Sequence, residues 1–240
     1  MVSHERKLLL FDIDGTLVDT EGAGLISLEK GFFEAFPNCS ARSFPPLDLR
    51  GATDGSVASF LFSHFDLDDD PVHRDRFFKN YAAALDEQLA TFRSLGKGRV
   101  LPGVKRLLEE LHQREEFSLG LLTGNIEIGA RLKLADYSLN EYFKFGAFGD
   151  DCSIRDELGP VAIERASGGG GAGFSPERTV IIGDTPKDIA CARACGARVV
   201  AVATGGVSSD ELRRECPDEL LGDFSDTAAT LAAIERVFFD

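Results

Sequence analysis

"LLLFDIDGTLVDT", Leu8–Thr20, carries four apolar residues straight into two aspartates one residue apart, followed by Gly15 and Thr16. An apolar run this short, without the spacing of an amphipathic helix, predicts a strand buried on both faces. Strands of that kind belong to parallel sheets, and open parallel sheets bind ligands beyond the carboxyl ends of their strands. The two carboxylates therefore stand where chemistry is done. Taken alone, Asp14-Gly15 is an ordinary turn dipeptide.

The rest of the chain supplies the context. From about Thr20 to Leu95 the pattern is helical, as in "SVASFLFSHF" and "DRFFKNYAAALDEQLATF", with almost no strand signal. The turn cluster "LGKGRVLPG" closes that stretch. Strands and helices then alternate: "VKRLLEELHQREE" helical, "FSLGLLTGN" a strand, "EIGARLKLADY" helical, "YFKFGAFG" strand-like, "DELGPVAIERA" helical. "RTVIIGD" follows as a strand, "TPKDIACARACG" as a helix with Gly196 just past its end, "ARVVAVATGG" as a strand and "DTAATLAAIERVF" as a helix. This alternation predicts an α/β fold, a mostly parallel sheet with helices on both faces, interrupted by an all-helical insertion after the first strand. Gly168, Gly170 and Gly173 match G-x-G-x-x-G, but that fingerprint must follow a strand and open a helix. Here it follows a helix and precedes a strand, so it reads as a flexible connection.

Three strand ends then deliver oxygen ligands: Asp12 and Asp14 from the first, Thr123, Gly124 and Asn125 from the next, Asp184 from "VIIGD", with Asp188 four residues on. Thr185-Pro186 is a helix start in its own right. Four carboxylates gathered at one edge repel one another. A hard divalent cation removes the conflict, and Mg²⁺ suits carboxylates plus water and substrate oxygens.

The 240 residues carry a net charge of −14, which disfavours nucleic acid and anionic membranes as partners. No apolar run approaches the ~20 residues of a membrane span, and the N-terminus has no secretory pattern. Five cysteines at irregular spacing argue for a reducing, cytoplasmic setting. Cys191 and Cys195, on one helix face, read as packing. A monomer and a homodimer are equally compatible with the chain.

"DIDGT", "LLTGN" and "IIGDTPKD", in that order, resemble the haloacid dehalogenase superfamily, and the phosphoglycolate-phosphatase-like subgroup in particular. The resemblance implies a Rossmann-like three-layer core over residues 1–18 and 96–240, with residues 19–95 as a helical cap. It implies Asp12 as nucleophile, Asp14 as general acid and base, Thr123 with Gly124 and Asn125 on the phosphoryl group, and Mg²⁺ held by Asp12, Asp14, Asp184 and Asp188. The family's third motif is usually a lysine at the start of the helix after the third strand. Here Arg155 is the cation at that place, while Lys144 lies at the wrong end of its strand and Lys133 sits on the preceding helix. Arg50, in the loop "DLRGATDGS", is a candidate grip on the substrate. Asp14 argues against dehalogenation, since a halide leaves without a proton. The expected activity is a phosphomonoester phosphatase on a small phosphorylated metabolite, phosphoglycolate foremost. The alternatives are a sugar-phosphate mutase of the same superfamily and, from another class, a receiver-type phospho-accepting domain.

Overall fold

The computed structural model describes residues 6–168 and 173–239. The chain opens with β1 (Lys7–Phe11) and the short β2 (Val18–Asp19), then α1 (Ala23–Ala35), α2 (Asp54–His64) and α3 (Pro71–Ser94). β3 (Arg99–Val100), α4 (Val104–His112), β4 (Phe117–Leu122), α5 (Glu127–Asp136), β5 (Gly146–Ala147) and α6 (Leu158–Ala166) follow. The last stretch is β6 (Thr179–Gly183), α7 (Pro186–Cys195), β7 (Arg198–Val202), α8 (Ser209–Arg214), β8 (Glu219–Leu221) and α9 (Thr227–Val237).

Six strands form one sheet in the order β5-β4-β1-β6-β7-β8, and every pairing in it is parallel. β1 is central and buried on both sides, as its unbroken apolar run requires. Its residues alternate between two cores. Leu9 and Phe11 pack with α4, α5 and α9 on one face, and Leu8 and Leu10 with α6, α7 and α8 on the other. Three layers result, with the strand ends open at one edge.

The structure departs from the sequence pattern in three places, the first being that the turn cluster "LGKGRVLPG" contains the short strand β3. "YFKFGAFG" keeps only Gly146–Ala147 as strand, because Asn140–Tyr142 winds into a 3-10 turn first. β8 and α8 have no counterpart in the sequence reading, being only 3 and 6 residues long. The glycine connection does run from a helix to a strand, and the Phe174 N–H closes it by donating to Ser167 Oγ at 3.0 Å. Gly170 lies outside the described residues.

β2 and β3 pair antiparallel, Val18 with Val100 and Asp19 with Arg99. They form a two-stranded stalk, and α1–α3 rise from it around a second hydrophobic cluster. Phe32 is its hub, with ring centroids 4.7 Å from Phe65 and 5.6 Å from Phe77. α2 begins where Thr53 Oγ1 accepts the Ser56 N–H at 3.0 Å. α3 begins at Asp70, which accepts the His73 N–H at 2.8 Å, with Pro71 next. α1 lies hard against α3. A Cβ on Gly31 would stand 2.5 Å from the Tyr81 Cα, so only glycine permits the crossing.

Candidate active site

The chain does not turn when β1 ends. The Asp12 N–H donates to Ile182 O of β6 at 2.9 Å, and the N–H groups of Leu17 and Val18 then fold back onto Ile13 O. Ile13 is buried, so Asp12 and Asp14, alternate residues on an extended chain, leave on the same side.

Each of the two carboxylates has its own cation. Arg155 opens a 3-10 turn ahead of α6, and its Nη2 lies 3.3 Å from Asp12 Oδ1 while also bonding Asp188. Burial by itself would lower this guanidinium's pKa. Asp188 and Asp12 outweigh it and hold the group above its ordinary value. Arg155, the cation named at the place of the third motif, thus stands beside Asp12. Lys133 is the correction. Set aside above because it lies on the preceding helix, it reaches back from α5 into the same site. Its Nζ donates to Asp14 Oδ2 and to Asn125 Oδ1, both at 2.6 Å. Asn125 Nδ2 in turn donates to Asp14 Oδ2 and to Thr123 Oγ1, each at 2.8 Å. Asp14, Asn125, Lys133 and Thr123 thus form one hydrogen-bonded set.

Asp184 closes the group. The Thr16 hydroxyl donates to its Oδ1 at 3.0 Å. Gly15 and Gly205 leave room for its Oδ2, since a Cβ on either would overlap it. No cation among the described residues pairs with it. Burial pushes its pKa up to about 8, and the charges on Asp12 and Asp188 add to that. Burial also raises Asp12, to about 6, against the pull of Arg155. Asp188 accepts from both the N–H and the hydroxyl of Thr185, at 3.0 and 2.7 Å, so it starts α7 and holds Arg155 at once.

Oxygens of Asp12, Asp184 and Asp188 lie within 4.8 Å of one another. With Asp14, the four carboxylates face only Arg155 and Lys133 among the described residues, which leaves two negative charges over. An all-oxygen donor set short of two positive charges fits a hard divalent cation. Without one, buried carboxylates this close cannot all ionise.

Asp12, Asp14, Asp184, Arg155 and Lys133 line a cavity of about 510 Å³ between the strand ends and the helical unit, and Asp188 lies buried behind them. Arg50 stands in its wall, but Asp48 holds it, accepting from Nε at 2.9 Å and from Nη2 at 2.8 Å. Asp54 lies deeper. Its Oδ2 accepts the Ile126 N–H at 2.8 Å, and burial, opposed by Lys133, raises its pKa to about 6. The seam around it is built from backbone: the Asp54 N–H donates to Gly124 O at 2.6 Å and the Gly55 N–H to Gly149 O at 3.2 Å.

The sequence profile of the family described as "Haloacid dehalogenase-like hydrolase" matches residues 9–202. The chain belongs to the haloacid dehalogenase-like hydrolases. It is 28% identical over 239 residues to a phosphoglycolate phosphatase of Agrobacterium fabrum, covering 96% of this chain and 93% of that one. It is 26% identical over 234 residues to the pyrophosphatase PpaX of Anoxybacillus flavithermus, covering 95% and 98%. Among solved structures, a hydrolase from Pseudomonas syringae superposes with a TM-score of 0.69 at 22% identity, covering 95% of this chain and 99% of that one. This haloacid dehalogenase-like hydrolase therefore shares its fold along nearly its whole length with family relatives, and its curated relatives are phosphatases. Among the described residues no helix is long and apolar enough to cross a membrane.

Proposed function

We propose that this hydrolase is a Mg²⁺-dependent phosphomonoester phosphatase that works through an aspartyl-phosphate on Asp12. One observation carries the reading: two carboxylates stand side by side at a strand end, one facing a buried arginine and the other a buried lysine. Each pairing suits a different task. Asp12, ionised beside Arg155, attacks phosphorus in line, and the bond to the leaving oxygen breaks as the acyl phosphate forms. Asp14, held by Lys133 and Asn125, gives its proton to that oxygen. It then takes a proton from the water that attacks the aspartyl-phosphate, which frees phosphate and restores Asp12.

Thr123, the backbone N–H groups of Gly124 and Asn125, and Arg155 are placed to hold the phosphoryl oxygens, the positioning and charge stabilisation this chemistry mostly needs. Asp12, Asp184, Asp188 and the Asp14 carbonyl are the groups that would hold the cation, which supplies the positive charge that lets an anionic ester approach. Residues 19–95 act as a cap that shuts water out while the leaving group departs. The substrate is a small phosphorylated metabolite, with phosphoglycolate as the reference ester. Five free cysteines support a reducing, cytoplasmic setting. A phosphomutase would need a second anion site, and the cavity's other arginines, Arg50 and Arg99, already face Asp48 and Asp19.

Phosphate release from a panel of small monoesters, with and without Mg²⁺, tests the reading. Mg²⁺-dependent release, lost by at least about 10³-fold in Asp12→Asn, is the expected result. Release that persists in Asp12→Asn, or no release from any ester by the folded, Mg²⁺-loaded chain, overturns it.

A further inference from the structure

The leaving-group side of the cavity has its own chemistry. Tyr81, on α3, is 1% exposed, yet its phenol oxygen makes no hydrogen bond among the described residues. It borders the cavity. The Tyr81 oxygen and the Lys133 Nζ converge on one point, since a Cβ added at Gly24 would stand 3.9 Å from the first and 3.5 Å from the second. Asp54 also borders the cavity, and with Oδ2 committed to Ile126, its Oδ1 has no partner among the described residues. Neither oxygen is sealed from the cavity, so both are open to a ligand's hydroxyl, and a hydrogen bond to each adds about 0.5–1.5 kcal/mol. The wall beside them is apolar: Leu25, Leu28, Leu49 and Val57.

The charges narrow the class of partner. Among the described residues four cations border the cavity, and each already faces a carboxylate: Arg50 with Asp48, Arg99 with Asp19, Lys133 with Asp14, and Arg155 with Asp12 and Asp188. None of these four is left for a carboxylate on the substrate, which would also lie near Asp54. A two-carbon acid beside its phosphate moreover fills little of a cavity of about 510 Å³, a volume of the size that encloses whole small-molecule ligands, about 300–1,000 Å³.

We infer that Tyr81 and Asp54 are specificity residues for an uncharged, hydroxyl-bearing leaving group, so that the substrate is a polyol- or sugar-type monophosphate rather than the phosphate ester of a carboxylic acid. The inference rests on the phosphatase reading for the position of the phosphoryl end. A substrate hydroxyl accepts from the Tyr81 phenol and donates to Asp54 Oδ1, and its hydrocarbon part lies on the leucines.

Calorimetric binding to the Asp12→Asn chain in Mg²⁺ tests this without turnover, using glycerol 1-phosphate, phosphoglycolate and ethyl phosphate as probes. Glycerol 1-phosphate should bind about tenfold or more tightly than phosphoglycolate, and also more tightly than ethyl phosphate, as one or two added hydrogen bonds allow. Adding Tyr81→Phe should cut the margin of glycerol 1-phosphate over ethyl phosphate by about tenfold. Adding Asp54→Asn should narrow the margin over phosphoglycolate, because the repelling charge is gone. Phosphoglycolate binding as tightly as glycerol 1-phosphate, a Tyr81→Phe loss equal for all three esters, or no binding of any of them overturns the inference. Failure of the phosphatase reading shows separately, as absent phosphate release by the native chain.

Discussion

Asp184 is a carboxylate that the metal-free fold does not want ionised, and replacing it by asparagine should make the protein more stable while disabling it. An acid whose folded pKa is raised keeps its proton in the native chain and gives it up on unfolding. Stability from this group is therefore complete below about pH 4, the unfolded value, and is lost as pH climbs towards about 8, the folded value. At 1.36 kcal/mol per pH unit, the folded chain at pH 7.5 carries a burden of about 5 kcal/mol if Asp184 is fully shielded. Asp184 faces the cavity, so water offsets part of this, and we expect Asp184→Asn to gain ~2 kcal/mol in chelator. For a chain of this size that is about 4–8 °C in Tm. Asparagine keeps the acceptor for Thr16, so packing is little disturbed. The assay is thermal melting at pH 5.5 and pH 7.5, with chelator and with Mg²⁺. The gain should be larger at pH 7.5 and shrink at pH 5.5. Mg²⁺ should raise the Tm of the parent chain, as any ligand of the native state does, and should have little effect on the variant. A variant that melts below the parent in chelator at pH 7.5, or that Mg²⁺ still stabilises equally, refutes the reasoning.

Lys133→Met should lower kcat by about 10²-fold by releasing Asp14 from its place, with KM changed far less; steady-state kinetics on one ester reads both. Asp14 is 40% exposed at its side chain, so water takes over part of the pairing and the stability loss should stay near 1 kcal/mol. Gly31→Ala should force α1 off α3 at Tyr81, with a cost of about 1–3 kcal/mol, visible as a lower Tm and as weaker discrimination between hydroxylated and plain alkyl phosphates.

The core and the oxygen ligands were legible because they depend on local sequence. β1 and β6 are apolar runs with no periodic polar residue, and each ends in aspartate, so the fold and Asp12, Asp14 and Asp184 could be read together. Arg155 was legible by place, but its bond to Asp188 was not, since it joins residues 33 apart. Lys133 was not legible. On its own helix it is one of several charged residues, and it turns inward because the Ile126 N–H is tied to Asp54 across 72 residues, which fixes how α5 leaves the site. Asp54 was hidden in the same way: Asp54-Gly55 reads as a turn, and only the docking of α2 on the core makes it part of the cavity. β8 and α8 are too short for a pattern to stand out from the residues around them.

The seam between α2 and the core has a consequence for how such a protein changes over generations. Two of its hydrogen bonds run from main chain to main chain, Asp54 N–H to Gly124 O and Gly55 N–H to Gly149 O, across glycines that leave no room for a side chain. Peptide groups are the same whatever residue carries them. Substitutions at Leu49, in the loop before α2, or at the exposed Leu25 can therefore reshape the substrate's surroundings while these two bonds keep α2 seated on the core. Drift in diet and permanence of chemistry become separable, so a descendant can take up a new ester one substitution at a time while its aspartates stay in register.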